Sequence, residues 1–292
     1  MISNLKTHLL GFMENKVAAI SAVILFLMVI AAMLSPWIAP QNPYDLATLN
    51  ISDSKLEPWT RSEANQQLYV LGTDDQGRDM FSAILFGLRI SLYIGLASTL
   101  IAVVLGASLG LIAGYVGGKT DSILMRIADL QLSFPAILIA LILLAALGQG
   151  VGKIIAALVA VQWAYYARTA RSAALVERNK EYVEAARCLA FSDARIIFKH
   201  VLPNCLPPLI VVAALQVASA ITLEATLSFL GLGLPITEPS LGLLIANGFQ
   251  YMLSGKYWIS FYPGVALLVA VMVINLVADQ LRDVLNPRLQ AH

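Results

Sequence analysis

The stretch Glu181-Tyr-Val-Glu-Ala-Ala-Arg-Cys-Leu-Ala190 runs on as Phe191-Ser-Asp-Ala-Arg-Ile-Ile-Phe-Lys-His-Val-Leu-Pro203. It is dense in charge, yet long apolar runs flank it on both sides. Tyr182, Val183, Ala186, Leu189 and Ala190 recur at i, i+1, i+4, i+7 and i+8, which is one face of a helix. Lys180, Glu184 and Arg187 fall on the opposite face, where charges three and four residues apart support one another. Ser192 before Asp193 predicts a second N-cap with a negative first turn, and Pro203 predicts the limit of that second helix. A helical pair too polar to cross lipid is thus held between two membrane spans. Such an element is suited to meet something outside the membrane, and the chain around it reads as an all-α polytopic membrane protein.

Composition agrees. The chain is 59% hydrophobic and only 13% charged, with a mean hydropathy of +0.77, far outside the range of water-soluble domains. A net charge of +1 and the lack of a basic tail argue against a nucleic-acid partner. Cys188 and Cys205 are the only cysteines and have neither metal-ligand nor C-x-x-C spacing, so free buried thiols are expected. His8, His200 and His292 are scattered, and no metal site is expected.

Working outward, six spans are predicted. Val17 to Leu34 is an almost unbroken apolar run, about long enough for a hydrocarbon core of ~30 Å. No small-x-small cleavage site follows it, so it reads as a retained span rather than a signal peptide. Ser35 to Tyr69, broken by Pro36, Pro40, Pro43 and Pro58, is a connection in water. In Leu71-Gly-Thr-Asp-Asp-Gln-Gly-Arg-Asp79 the EF-hand spacing is absent. Instead Thr73 and Gln76 predict a capping box, with Asp74 and Asp75 at the positive end of the helix dipole. Met80, Phe81, Ile84, Leu85 and Leu88 then form an amphipathic stripe suited to the membrane interface.

Ile90 to Val116 is the second span, and Gly106, Gly110 and Gly114 give it a small-residue stripe for close helix packing. Ala113 to Thr120 reads A-G-Y-V-G-G-K-T, near a phosphate loop, but a hydrophobic helix precedes it where that motif needs a strand. Arg126 and Asp129, predicted to pair locally, lead with Gln131 into a third span that is kinked or re-entrant at Ser133-Phe134-Pro135. Ile154 to Tyr166 is the fourth span, closed by Arg168 and Arg171. Leu209 to Leu230 is the fifth, opened by Pro207 and Pro208. Leu241 to Phe249 is an apolar stretch expected in the interface, and Pro263 to Val277 is the sixth span. Glu224 is an intramembrane carboxylate, a functional candidate by default, read as contacting either a translocation pathway or a partner chain.

Placing the first residues in the cytoplasm and alternating sides leaves thirteen of the 19 Lys and Arg residues inside. The positive-inside rule then predicts both termini, and the 181–203 element, on the cytoplasmic side. The chain carries no Ser/His/Asp set and no zinc-spaced cluster, so it is not read as an enzyme.

Glu184-Ala185-Ala186, Ala190 and His200-Val-Leu-Pro203 resemble the EAA loop of bacterial ABC importer permeases, whose pattern has Gly where Ala190 stands and Ile where His200 stands. Three further segments resemble the dipeptide/oligopeptide/nickel branch of that family. They are Leu71 to Asp79, Glu224-Ala225 with Ser228-Phe-Leu-Gly-Leu-Gly233, and Asp279-Gln-Leu-Arg-Asp-Val-Leu-Asn-Pro-Arg288. In that branch Trp commonly stands where this chain has Leu241.

The resemblance implies a type I ABC-importer permease fold with a cytoplasmic coupling helix. Residues 1–70 would form an N-terminal segment with the first span. Residues 71–292 would form the permease core, with coupling helices at about 177–203. It implies a multi-pass inner-membrane subunit importing peptides or related solutes such as glutathione, opines or nickel complexes. The partners would be a homologous second permease, two ATPase subunits that hold ATP and magnesium, and an extracytoplasmic binding protein. This chain would hold no cofactor. Tyr182, Val183, Glu184, Ala185, Ala186, Arg187, Leu189 and Ala190 would couple to the ATPase. The rival reading is an ion-gradient-driven secondary transporter, to which Glu224 alone points.

Overall fold

The computed structural model describes residues 12, 15–45, 47, 49–63 and 66–285. The polar N-terminal residues and the Asn286-Pro-Arg288 end of the closing motif therefore lie mostly or wholly outside the described residues. Helix α1 (Lys16–Met33) starts where Asn15 Oδ1 accepts the N–H groups of Val17 and Ala18, at 3.0 and 3.3 Å. It packs along the last helix of the chain.

The connection after α1 is tied together from its middle. Strands β1 (Thr60–Arg61) and β2 (Leu68–Tyr69) pair antiparallel. Beneath them the buried Asp53 carboxylate accepts the hydroxyls of Ser62, at 2.8 and 2.9 Å, and Tyr69, at 3.1 Å. The Thr73 hydroxyl donates to Asp53 O at 2.5 Å and accepts from Leu56 N–H at 2.8 Å. It is therefore not free to cap a helix, and the predicted capping box does not form.

The cap is Asp79, which takes the Ser82 N–H at 2.9 Å and the Ser82 hydroxyl at 2.5 Å, and α3 (below) begins at Met80. Arg78 is fully buried. Its Nε meets Asp74 Oδ2 at 2.6 Å and its Nη1 reaches Ile236 O at 3.1 Å, so this loop is latched to a distant one. Burial pushes the Asp75 carboxyl above its ordinary range, and the Asp74 charge adds to the shift. Its Oδ1 is buried without a hydrogen-bond partner.

Before α3 comes the single turn α2 (Ser35–Ile38). Helix α3 (Met80–Val116) is 37 residues long, about 55 Å, so the predicted interface stripe and second span are one helix. Met80, Leu85 and Leu88 of that stripe face the protein interior rather than the membrane interface. Helices α4 (Gly118–Leu132) and α5 (Ala136–Leu147) meet at a 90° bend, at the predicted Ser133-Phe134-Pro135 break. Helix α6 (Val151–Glu177) then runs parallel to α3.

The α3–α6 seam is where the glycine stripe lies. Gly106 faces the Trp163 carbonyl, Gly110 the Ala167 backbone and Gly114 the Arg171 backbone and Ala174 Cβ, all too close to admit a side chain. Arg171 grips Asp121 through two bonds of 2.5 and 2.7 Å, fixing α4 to α6. Asp129 is paired with Arg168, at 2.5 Å, rather than with Arg126 as predicted, because α6 brings a guanidinium across the helix pair.

Helix α7 (Glu181–Cys188) leads to α8 (Asp193–Phe229), another continuous 37-residue helix. Pro203 does not end the second helix of the pair. A π turn at Ile197–Val201 precedes it, with Leu202 N–H bonding Ile197 O. Widening the helix there relieves the clash between a proline ring and the carbonyl four residues earlier. Helix α9 (Leu241–Phe249) was expected in the interface, but Leu241, Leu243 and Leu244 are buried against the protein. Gly242 and Gly248 bring its backbone onto Ala225 and Ser260. Helix α10 (Trp258–Leu285) closes the described chain.

By length and apolarity, α1, α3, α8 and α10 can each cross a membrane, and the bent α4–α5 pair makes a fifth candidate among the described residues. The sixth predicted span corresponds to α6. It is long enough, at 27 residues, but Lys153, Gln162 and Arg168 make it less apolar than the others.

Candidate functional site

Helix α7 is short and amphipathic, and it divides its residues between two neighbours. Val183 and Ala186 are buried in a cluster with Leu111 and Tyr115 of α3, Ala170 and Ala174 of α6, and Ile196, Val201 and Cys205 of α8. Tyr182 packs against the same cluster, and its hydroxyl donates to Glu177 Oε2 at 2.6 Å. Asn204 Nδ2 donates to that hydroxyl at 3.2 Å. Burial, then the Glu177 hydrogen bond, pushes the Tyr182 phenol up to about 12, so it stays protonated and keeps donating at neutral pH.

The opposite face is open. Glu181, Glu184, Ala185 and Cys188 are exposed, and Leu189 is 68% exposed. These fall at i, i+3, i+4, i+7 and i+8, a stripe of the same period as the predicted one but turned to the other side. Tyr182, Val183 and Ala186, assigned to an outside partner with Glu184, Ala185 and Leu189, are turned inward because they complete this chain's own core. Cys188, expected to be buried, is exposed, whereas Cys205 is buried.

Two clasps fix the element to the spans. At its start Lys180 Nζ lies 2.6 Å from Glu177 Oε1. At its end the Tyr115 hydroxyl donates to Asp193 Oδ1 at 2.7 Å, and the Arg187 guanidinium lies 5.1 Å from the Tyr115 ring centroid. Arg187, read from sequence as an edge contact for a partner, is thus held by an aromatic ring of α3.

Between α7 and α8 the chain turns through Ala190, whose φ is +56°. Phe191 N–H bonds Ala186 O at 3.1 Å and Ala190 N–H bonds Arg187 O at 2.9 Å, the paired bonds of a Schellman turn. Ser192 precedes α8 but makes no side-chain capping bond. The glycine in the resembling pattern marks this left-handed position. The Tyr115 clasp, by contrast, had no local signal, since its partners are far apart in sequence.

Family relationships follow these features. The model of the binding-protein-dependent transport system inner membrane component matches residues 106–291, which includes α7 and most of the helices around it. The chain belongs to that permease family. The N-terminal transmembrane domain of oligopeptide transport permease C matches residues 3–58 of the permease.

Among curated relatives, the di/tripeptide transport system permease protein of Pseudomonas aeruginosa is 38% identical over 99% of this permease and 93% of its own length. The dipeptide transport system permease protein of Escherichia coli is 39% identical over 96% and 91%. The oligopeptide transport system permease protein of Bacillus subtilis is 35% identical over 98% and 90%. A chain of the inward-facing MetNI methionine ABC transporter shares the fold, with a TM-score of 0.57 at 19% identity, covering 71% of this permease and 98% of that chain. The permease is accordingly a multi-pass inner-membrane transport component with a type I importer fold.

Glu224 is fully buried within the permease. Its Oε2 accepts the Ser91 hydroxyl at 2.9 Å and its Oε1 the Ser228 hydroxyl at 2.8 Å. That enclosure joins α3 to α8 inside one chain, so the sequence feature that pointed to an ion-coupled transporter is part of the internal packing.

Proposed function

We propose that this permease is one membrane subunit of an ATP-driven importer of peptides or related small solutes, moved through α7 by a soluble ATPase. The observation that carries the reading is the two-faced seating of α7. Its inner face is locked into the junction of α3, α6 and α8, while Glu184, Ala185, Cys188 and Leu189 stand clear. A partner that displaces the outer face displaces three long helices with it, which is the geometry of rigid-body rocking. The names of the peptide permeases that resemble it support the cargo class.

In this reading two ATPases hold ATP and magnesium, a homologous permease completes the pathway, and an extracytoplasmic binding protein delivers solute. The permease itself holds no cofactor and performs no covalent chemistry. Both termini and α7 face the cytoplasm, in line with the inward bias of Lys and Arg. Residues 1–70 act as an N-terminal membrane segment and residues 71–292 as the permease core.

Ala185→Asp is the decisive variant, because Ala185 is exposed whereas Ala186 is 4% exposed and would report on folding. Peptide import should fall at least tenfold and the ATPase should no longer co-purify, with the membrane level of the permease unchanged. Import at normal rates would sink the docking assignment.

A further inference from the structure

A groove of about 400 Å³ opens between α6, α8 and α10. Gln162 of α6, Gln216, Ser219, Thr222 and Thr226 of α8, and Asn275 of α10 line it. The four α8 residues fall on one helical face. Gln216 lies at the midpoint of the Leu202–Phe229 segment and Gln162 near the midpoint of α6, at depths where the rest of the surface is apolar.

The hydroxyls donate to their own helix. Thr222 reaches Ala218 O at 2.8 Å, Thr226 reaches Thr222 O at 2.8 Å and Ser219 reaches Leu215 O at 3.4 Å, which leaves their oxygens open as acceptors. The amides are not satisfied. Gln162 is 3% exposed; its Nε2 donates to Gln216 O at 3.2 Å, and its Oε1 is buried with no partner. Among the described residues the side-chain amides of Gln216 and Asn275 make no hydrogen bond. Open amides at this depth are unfavourable against lipid, which supplies no donor or acceptor. They are equally unfavourable in a dry helix interface. The groove must therefore meet water or a polar solute.

We infer that this stripe is the solute-facing wall that the permease contributes to the translocation path, and that it accepts a net-neutral or zwitterionic, amide-bearing solute. The inference rests on the transport reading above and names residues and solute chemistry for it. No lining residue carries a charge. The wall offers paired donors and acceptors that match a peptide bond, without a fixed charge to trap the solute, and conduction requires that bound solute also leave. A bare divalent cation finds no carboxylate, imidazole or thiolate there.

The test uses the assembled transporter in proteoliposomes, with its ATPases and binding protein. Thr222→Cys is compared with Val104→Cys, which lies 69% exposed on α3 away from the groove. Modification by a membrane-impermeant thiol reagent is read at each position by mass spectrometry, so Cys188 does not interfere. Position 222 should react at least tenfold faster, and saturating dialanine, but not nickel ion, should slow it severalfold. Gln162→Leu should lower dialanine import at least tenfold while ATP hydrolysis stays within twofold. Equal reactivity at the two positions, or normal import by Gln162→Leu, in a complex whose native form imports dialanine overturns the wall alone. Protection by nickel rather than dialanine overturns the solute class. A native complex that imports no dialanine overturns the transport reading beneath both.

Discussion

Ala190 is held at a φ of +56°, where a Cβ crowds the chain's own carbonyl and an L-residue is strained by about 1–2 kcal/mol. Glycine has no such penalty, although it gains freedom in the unfolded chain. Ala190→Gly should therefore stabilise the α7–α8 turn by about 0.5–1 kcal/mol, raising the thermal midpoint of the detergent-solubilised permease by roughly 2–4 °C. Ala190→Val should lower it. Asp75 gives a pH-dependent case. Its folded carboxyl titrates above its unfolded value, so its favourable contribution is complete only at acid pH and is lost as pH rises through the raised pKa. Asp75→Asn should raise the melting temperature at about pH 7, and the advantage should close below about pH 4. An advantage that persists unchanged in acid would show that burial of this charge is not the cause.

Helices were the easiest elements to read and the hardest to bound. Apolar runs announce spans because a bilayer demands a minimum length, and the four-residue spacing of Gly106, Gly110 and Gly114 marks a seam whose partner turned out to be α6. Which face of a helix is buried was less legible, since lipid is as apolar as a leucine core. Met80, Leu85 and Leu88 look alike whether they meet lipid or protein. Boundaries failed where long-range contacts took over a local signal: Asp53 and Leu56 occupy the Thr73 hydroxyl, and Arg168 takes Asp129. On α7 the period was right and the direction was reversed, because hydrophobic pattern cannot tell a chain's own core from a partner's groove. At the seam, Gly110→Ala gains about 1 kcal/mol of helix propensity but drives a Cβ into the Ala167 backbone. The clash should win by about 1–3 kcal/mol, seen as a lower melting temperature and a smaller monodisperse fraction after solubilisation.

At the scale of the whole molecule, α3 and α8 each span 37 residues without a break. Both converge on the α7 junction, α3 through Tyr115 and α8 through Asp193. Motion delivered there reaches the far ends of two helices with little compliance between. The orientation this needs is testable through the native Cys188, which is exposed on the outer face of α7. In right-side-out vesicles a membrane-impermeant thiol reagent should leave it unmodified, and in inverted vesicles the same reagent should label it. Labelling from the outside would place α7 away from any ATPase.

The π turn at Ile197–Val201 has a bearing on how α8 can be edited. One residue in an α-helix is worth about 100° of azimuth, so the extra residue in this turn sets the phase of everything beyond it. Remove it, and Gln216 and Thr222 would swing toward Glu224's side of the helix while the serines that enclose Glu224 lose their acceptor. A single-residue deletion between 197 and 201 is thus a frameshift in rotation, with every later side chain present and aimed at the wrong neighbour.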